Sequence, residues 1–317
     1  MAGIKVAAIQ ATSENGAVAR NLENAGRLVR LAVERGAELV VCPEFLAAGY
    51  TYDEIIWESA EPRGGATETW LAALASEHDI YVGAGYLEAD GDQFYNTFTL
   101  FGPGGELMGR VRKGSLPFCE GWYFAPSSDP KVIETPLGRI GVGICNDNQT
   151  AEFYRHMIDE SPDLLLMPHS APTPRVPVVA GWFREMVNSV AEFYAREFGI
   201  PVVFSNKVAT RTNWTPLSFV PLLRLPMRCE GFSSVHAAGG ERLAYAEDRE
   251  TAVVGTIEID PTRKRRPTAQ PDGYLVRTPD LLTAAGGRVF EVFTRLGDHA
   301  YTTNTRRAPA AHAAANR

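Results

Sequence analysis

Three neighbouring stretches decide the fold: IKVAAI (Ile4–Ile9), NLENAGRLVRLAVE (Asn21–Glu34) and ELVVCP (Glu38–Pro43). The first is a short apolar run with the length of a strand. In the second, Leu22, Ala25, Leu28, Val29 and Ala32 recur at steps of three and four, the period of a helix with one buried face. Gly36 supplies its stop. The third is again a nearly continuous apolar strand, ended by Pro43. Strand, helix and strand in this order predict a β-α-β unit whose sheet is covered.

The same pattern continues outward. Thr67–Glu77 reads as a helix and Ile80–Tyr86 as a strand. Phe94–Phe101 and Leu107–Val111 pair as a hairpin about the turn Pro103-Gly104-Gly105. Lys131–Glu134 and Arg139–Ile144 read as strands joined around Pro136 and Gly138. A helix over Ala151–Asp159, a strand over Asp163–Met167, one long helix over Val178–Phe198 and a strand over Pro201–Ser205 follow. Apolar runs at Phe232–Ala237, Arg242–Ala246 and Ala252–Ile259 complete the pattern. Hairpins beside β-α units predict a mixed α/β sandwich rather than a purely parallel sheet.

No linker or repeat divides residues 1–262, which read as one domain. Residues 263–317 change character and read as an extension. It opens on the basic run Arg263-Lys264-Arg265-Arg266, which predicts a solvated face or an interaction patch. Leu275–Thr294 predicts a helix or strand packed on the domain or on a partner, and Ala308–Arg317 a mobile tail.

Composition narrows the class. The chain has 317 residues, 45% hydrophobic and 22% charged, with a formal net charge of -7. That excludes a mainly disordered chain and gives no general attraction to nucleic acid or anionic membrane. The start MAGIKVAAIQ lacks a basic segment before a cleavable apolar one, and no apolar run reaches membrane-spanning length. The expectation is a cytoplasmic protein. Cys42, Cys119, Cys145 and Cys229 are widely spaced, form no CxxC pair and read as free thiols.

Four residues could carry chemistry. Cys145 closes Arg139–Ile144 and precedes Asn146-Asp147-Asn148-Gln149, so it sits at a strand end where a turn can present sulfur to a carbonyl. A small buried thiol ending a strand has the same pattern. Glu44 follows Val40-Val41-Cys42-Pro43 and can serve as a rigidly held acid or base, or simply open a loop. Lys113 ends Gly109-Arg110-Val111-Arg112 and can steady an oxyanion, or belong to a solvated basic run. Glu120 lies in Phe118-Cys119-Glu120-Gly121-Trp122-Tyr123-Phe124, an aromatic segment that builds a pocket or covers a core.

Taken together, Pro-Glu-Phe after the second strand, Arg-Lys before a Glu-containing segment, and Gly-Ile-Cys-Asn-Asp resemble the nitrilase, or carbon–nitrogen hydrolase, superfamily. The resemblance spans roughly Ile4 to Pro261 and includes the later Gly-Phe-Ser-Ser and Gly-Gly-Glu segments. It implies a four-layer α-β-β-α sandwich whose subunits pair or assemble further. It implies Glu44 as general base, Lys113 as oxyanion stabiliser, Cys145 as nucleophile and Glu120 as the additional glutamate that positions catalytic groups or substrate. No cofactor or metal is implied. His78, His156, His169 and His236 form no close ligand motif.

The substrate branch is mixed. Phe118–Tyr123 resembles aliphatic amidases, although the spacing between Cys119 and Glu120 is shorter here. Ile144-Cys145-Asn146-Asp147, with Glu152 and Arg155, resembles N-carbamoyl-D-amino-acid hydrolases. Those enzymes carry an Arg pair where this chain has Asn148 and Gln149, which cannot clamp a carboxylate bidentately. Arg175 and Arg184 are the residues that would have to compensate. The Trp-rich context of true nitrilases is absent. A small or medium carboxamide is the expected substrate, with a carbamoyl compound or nitrile as alternatives and a non-catalytic binding or assembly protein as the other class. Trp122, Tyr123, Asn146, Asn148 and His169 are the expected substrate-binding residues, and Phe45, Tyr50 and Trp182 could add apolar wall.

Overall fold

The computed structural model describes residues 3–317 apart from 52, 175, 210–214, 221–222, 269–270, 272 and 278–280. The first elements are β1 (Ile4–Gln10), α1 (Val18–Glu34), β2 (Leu39–Val41), α2 (Ala66–His78), β3 (Tyr81–Asp90), β4 (Gln93–Phe101) and β5 (Leu107–Arg112). Next come β6 (Val132–Thr135), β7 (Gly138–Val142), α3 (Ala151–Glu160), β8 (Leu164–His169), β9 (Pro172–Pro174), α4 (Pro177–Asn188), α5 (Val190–Phe198) and β10 (Val202–Asn206). The chain continues through β11 (Thr215–Val220), β12 (Leu223–Cys229), β13 (Ser234–His236), β14 (Arg242–Tyr245) and β15 (Thr251–Ile257) to α6 (Leu281–Thr303) and α7 (Arg307–Ala315).

Two six-stranded sheets result, ordered β15-β1-β2-β3-β4-β5 and β14-β13-β10-β8-β7-β6. The middle of each is parallel, β1-β2-β3 in one and β7-β8-β10 in the other. Antiparallel strands flank both.

The two-residue period of a strand explains the layers. Val6 and Ala8 join Leu39, Val41, Val142, Leu166 and Val203 in the seam between the sheets. Their neighbours Ala7 and Ile9 pack outward with Leu22, Leu28 and Leu71 of α1 and α2. On the other sheet, Leu165, Met167 and Val202 pack with Phe153, Tyr154 and Tyr194 of α3 and α5. The result is the four-layer α-β-β-α sandwich.

Two expectations are corrected. The helix expected over Val178–Phe198 is two helices, α4 and α5, divided at Ser189. The Ser189 hydroxyl donates to the Glu185 carbonyl at 2.6 Å and accepts from Arg277 Nη1 at 2.8 Å, and such back-bonding bends a helix. The Ala-rich end is helix α7, docked through Ala311 and Ala314, both 0% exposed, on the cluster of Phe45, Trp57 and Phe94. Small side chains let that helix lie close, and Arg317 ties it to the Glu58 carbonyl at 2.9 Å. The basic run keeps the solvated face expected of it, with Arg263, Arg265 and Arg266 exposed, while Lys264 Nζ turns back to Asp163 Oδ1 at 2.8 Å. A three-stranded sheet, β11-β12-β9, was not expected.

Among the described residues Cys42, Cys145 and Cys229 are free thiols, no helix is long and apolar enough to cross a membrane, and no His/Cys/Asp/Glu group could hold a metal ion.

Candidate active site

Three strand ends and the loops after them deliver the four candidate groups. Glu44 follows β2, and Lys113 follows β5 directly. Glu120 lies on a short 3-10 turn, Phe118–Trp122, and Cys145 opens another, Cys145–Gln149, after β7. Cys145 has φ 49, in the left-handed region that L residues rarely adopt, a conformation that costs about 1–2 kcal/mol. The turn is held from several sides. Asn148 Nδ2 donates to the Gly143 carbonyl at 2.7 Å and to the Cys145 carbonyl at 3.3 Å. A Cβ on Gly143 would collide with the Asn148 amide oxygen, so the fold needs glycine there. Asp147 Oδ2 accepts from the Ile144 N–H at 3.2 Å. Its Oδ1 accepts from the N–H groups of Gly114 at 3.1 Å and Ser115 at 2.7 Å, tying the turn to the loop after Lys113.

Inside lies an ion cluster. Lys113 Nζ donates to Glu44 Oε1 at 2.8 Å and to both Glu120 oxygens at 2.9 Å. Asn96 Nδ2 bridges the two carboxylates, 2.7 Å from Glu44 Oε1 and 3.1 Å from Glu120 Oε1. Glu44, Lys113 and Glu120 are fully buried, whereas Cys145 keeps 9% exposure. Glu44 Oε2 is buried with no hydrogen-bond partner, so one carboxylate oxygen is anchored and the other is open to accept a proton. The Ser170 hydroxyl holds the Glu44 carbonyl at 2.6 Å.

Charge states follow from burial and neighbours. Burial favours a neutral Lys113, but Glu120 and Glu44 more than reverse this and hold the ammonium well above its usual range. Burial, helped by Glu44 and opposed by Lys113, pushes Glu120 up to about 7. Burial and the Glu44 charge push the Cys145 thiol well above the ordinary thiol range, with Lys113 opposing them. The sulfur therefore needs a base at the moment of attack.

The other sequence-named residues divide. Asn146 Nδ2 donates to Ser115 Oγ at 2.8 Å and Tyr274 Oη at 3.0 Å. Asn148 Nδ2 also lies 3.0 Å from His169 Nε2, so the pair braces the Cys145 turn. Burial and Lys113 push His169 down to about 3, which keeps it neutral. Trp122 and Tyr123 are half-buried, and Tyr123 packs against Trp57 and Phe124, with ring centroids 6.4 Å apart in each pair. Phe45 and Tyr50 belong to the buried aromatic core. Trp182 lies on α4, 39% exposed. Arg184 is paired with Glu230 at 3.0 Å, and Arg175 lies outside the described residues.

Sequence reading gave no part in the site to Asn96, Ser170 or Tyr274, and quoted Asp147 only among the polar residues after Cys145. Asn96 alone carried a local signal: an amide inside the aromatic strand Phe94-Tyr95-Asn96-Thr97-Phe98, where asparagine is disfavoured.

The carbon–nitrogen hydrolase family matches residues 5–266. A nitrilase of Pyrococcus abyssi is 32% identical over 178 residues, 55% of this chain and 68% of that protein. An omega-amidase of Xenopus laevis is 33% identical over 158 residues, 47% of this chain and only 57% of that protein. A citrullinase of Francisella tularensis is 29% identical over 223 residues, 67% of this chain and 77% of that protein. Among solved structures, a carbon–nitrogen hydrolase from Helicobacter pylori G27 superposes with TM-score 0.71 at 21% identity, covering 81% of this chain and 90% of that one. An amidase from Nesterenkonia sp. AN1, with acrylamide added at its active-site cysteine, gives TM-score 0.67 at 19% identity over 83% of this chain and 96% of that one. These two likenesses concern the fold, and the family match concerns the sequence across most of the chain. The chain thus belongs to the carbon–nitrogen hydrolase family, within the nitrilase superfamily.

Proposed function

We propose that this chain is an amidase that converts a small or medium carboxamide to acid and ammonia through a Cys145 thioester. The observation that carries the reading is the divided Glu44 carboxylate, with Oε1 held by Lys113 and Asn96 and Oε2 left without a partner. In the proposed mechanism Sγ of Cys145 attacks the carbonyl carbon while its proton passes to Glu44 Oε2. Negative charge develops on the carbonyl oxygen and is met by the Lys113 ammonium. The C–N bond breaks as the nitrogen takes the proton back from Glu44, and ammonia departs from the thioester. Water then attacks the thioester, giving its proton to Glu44. The C–S bond breaks, the acid leaves and the proton returns to sulfur. Glu120 keeps Lys113 aimed through two 2.9 Å contacts.

Trp122 and Tyr123 serve in this reading as walls near the substrate, while Asn146, Asn148 and His169 shape its approach to sulfur. The uncharged acyl group is favoured by how the side chains are already engaged. The Asn148 amide nitrogen is occupied by the Gly143 carbonyl and His169, and Arg184 by Glu230. The relatives include a nitrilase, omega-amidases and a citrullinase, so carbamoyl and nitrile substrates are the alternatives.

The test is a parallel product assay on carboxamides, N-carbamoyl compounds and nitriles. Acid and ammonia from carboxamides without carbon dioxide are the expected result, and turnover of nitriles alone overturns it. Cys145→Ala should lower kcat on the order of a thousandfold or more, and Glu44→Gln at least about a hundredfold, with the fold retained. Intact mass should show an acyl adduct on wild-type Cys145. Full turnover by Cys145→Ala sinks the reading. The reading includes a cytoplasmic setting, supported by the free thiols, with no nucleic-acid or membrane partner. It also includes a homodimer or larger homo-oligomer, supported by exposed Val292 and Leu296 one helical turn apart on α6. A monomeric sedimentation coefficient would count against that assembly.

A further inference from the structure

Residues 274–317 lie beyond the family-matched span of 5–266, yet they touch the neighbours of the reactive groups. The segment around Leu275 pairs antiparallel with the end of the nucleophile turn. The Ala151 N–H donates to the Tyr274 carbonyl at 2.9 Å, and the Val276 N–H to the Gln149 carbonyl at 2.8 Å, about the bridge Thr150↔Leu275. This places the Tyr274 hydroxyl 2.8 Å from Ser115 Oγ and 3.0 Å from Asn146 Nδ2. Asn146 Nδ2 also donates to Ser115 Oγ at 2.8 Å, closing a triangle. Ser115 stands two residues after Lys113, and Asn146 directly follows Cys145. A further hydrogen bond joins Tyr274 to Thr294 of α6.

The rest of the extension acts on the remaining members. Gly297 of α6 lies against Gly121, the residue after Glu120, so closely that a Cβ on Gly297 would stand 3.0 Å from the Gly121 carbonyl carbon. The Tyr301 hydroxyl accepts from the Phe94 N–H at 2.8 Å, two residues before Asn96 on β4. Helix α7 packs on the aromatic cluster that contains Phe45, the residue after Glu44.

We propose that this C-terminal extension is a working part of the active site, and that Tyr274 is a positioning residue whose hydroxyl fixes the Cys145 turn against the Lys113 loop. The proposal rests on the catalytic roles given above to Cys145 and Lys113. Lys113, together with the Ser170 N–H, counteracts burial at the sulfur, so the separation of Lys113 and Cys145 affects how readily the thiolate forms. Removing the hydroxyl withdraws the brace on the Asn146–Ser115 pair and loosens that side of the contact, while the Asp147 links to Gly114 and Ser115 and the backbone pairing of residues 149–151 with 274–276 persist.

The experiment compares full-length wild type with Tyr274→Phe. It measures amide turnover, melting temperature and the pH profile of Cys145 alkylation by iodoacetamide, with labelling assigned by peptide mass. The expected variant has kcat lowered about 10- to 100-fold, as a displacement near 1 Å produces, with KM within about twofold. Its alkylation profile is displaced to higher pH, a change that a purely structural hydroxyl would not cause. A variant with the wild-type kcat and alkylation profile overturns the proposal. If Tyr274→Phe does not fold, Ser115→Ala removes the same link from the other side. A displaced profile in that variant supports the proposal, and an unchanged one overturns it. Wild-type Cys145 that resists iodoacetamide while Cys42 or Cys229 reacts sinks the catalytic reading itself, and this proposal with it.

Discussion

A lysine between two glutamates is the feature that makes the buried chemistry tolerable. An isolated ion in such a place would neutralise, and Lys113 stays charged because Glu120 and Glu44 face it. The arrangement is asymmetric in protons. Glu120, raised from 4.5 to about 7, holds its proton longer in the folded chain than in the unfolded one. Its contribution to stability is therefore full below 4.5 and declines as the pH rises through about 7. Urea midpoints of wild type should fall across that window relative to Glu120→Gln, which has no such titration. Parallel pH dependences in the two proteins would contradict the assignment. At this scale the sequence made Glu44, Lys113, Glu120 and Cys145 legible because each borders a strand or a turn in a quotable motif. Asn96 and Ser170 were hidden because their importance lies in distant contacts, to carboxylates 52 and 24 residues away for Asn96 and to the Glu44 carbonyl 126 residues away for Ser170.

At the scale of elements, the nucleophile turn is shaped less by its own propensity than by what grips it. Asp147 alone satisfies three backbone N–H groups, on Gly114, Ser115 and Ile144. Leaving a buried donor unmet costs about 1–3 kcal/mol. Asp147→Ala should therefore lose roughly 2–4 kcal/mol in chemical denaturation and most of its turnover, because the Lys113 loop and the Cys145 turn separate. An Ala variant as stable as wild type would show that these bonds are replaced by solvent. The divided helix at Ser189 teaches the same lesson about legibility. Apolar periodicity runs through Ser189 without interruption, and its bonding partner Arg277 stands 88 residues away. Local pattern gave the two strands and the helix of the opening unit nearly to the residue. It could not give β9, whose partner in the small sheet is β12, some fifty residues on.

Across the whole molecule, the sandwich places its reactive groups at or after strand ends drawn from both sheets, and Tyr274, Gly297, Tyr301 and α7 pack against their neighbours from outside. The layers were legible because alternation along β1 assigns one face to the seam and the other to helices. The docking of α7 was not, since alanine spacing reads equally as a solvated tail. Ala311 is wholly buried among aromatic rings, so Ala311→Asp should lower stability by about 2–4 kcal/mol and open residues 307–315 to proteolysis. An intact, protease-resistant Ala311→Asp chain would place that face in solvent.

Glu44, Lys113 and Glu120 have no exposed surface, and Cys145 alone among the four has a little, 9%. A group that approaches this set from outside therefore meets the sulfur first. In the proposed mechanism that imposes an order: ammonia leaves the thioester before water attacks it. The two halves of the reaction are thereby kept apart in time, and the enzyme should obey ping-pong kinetics.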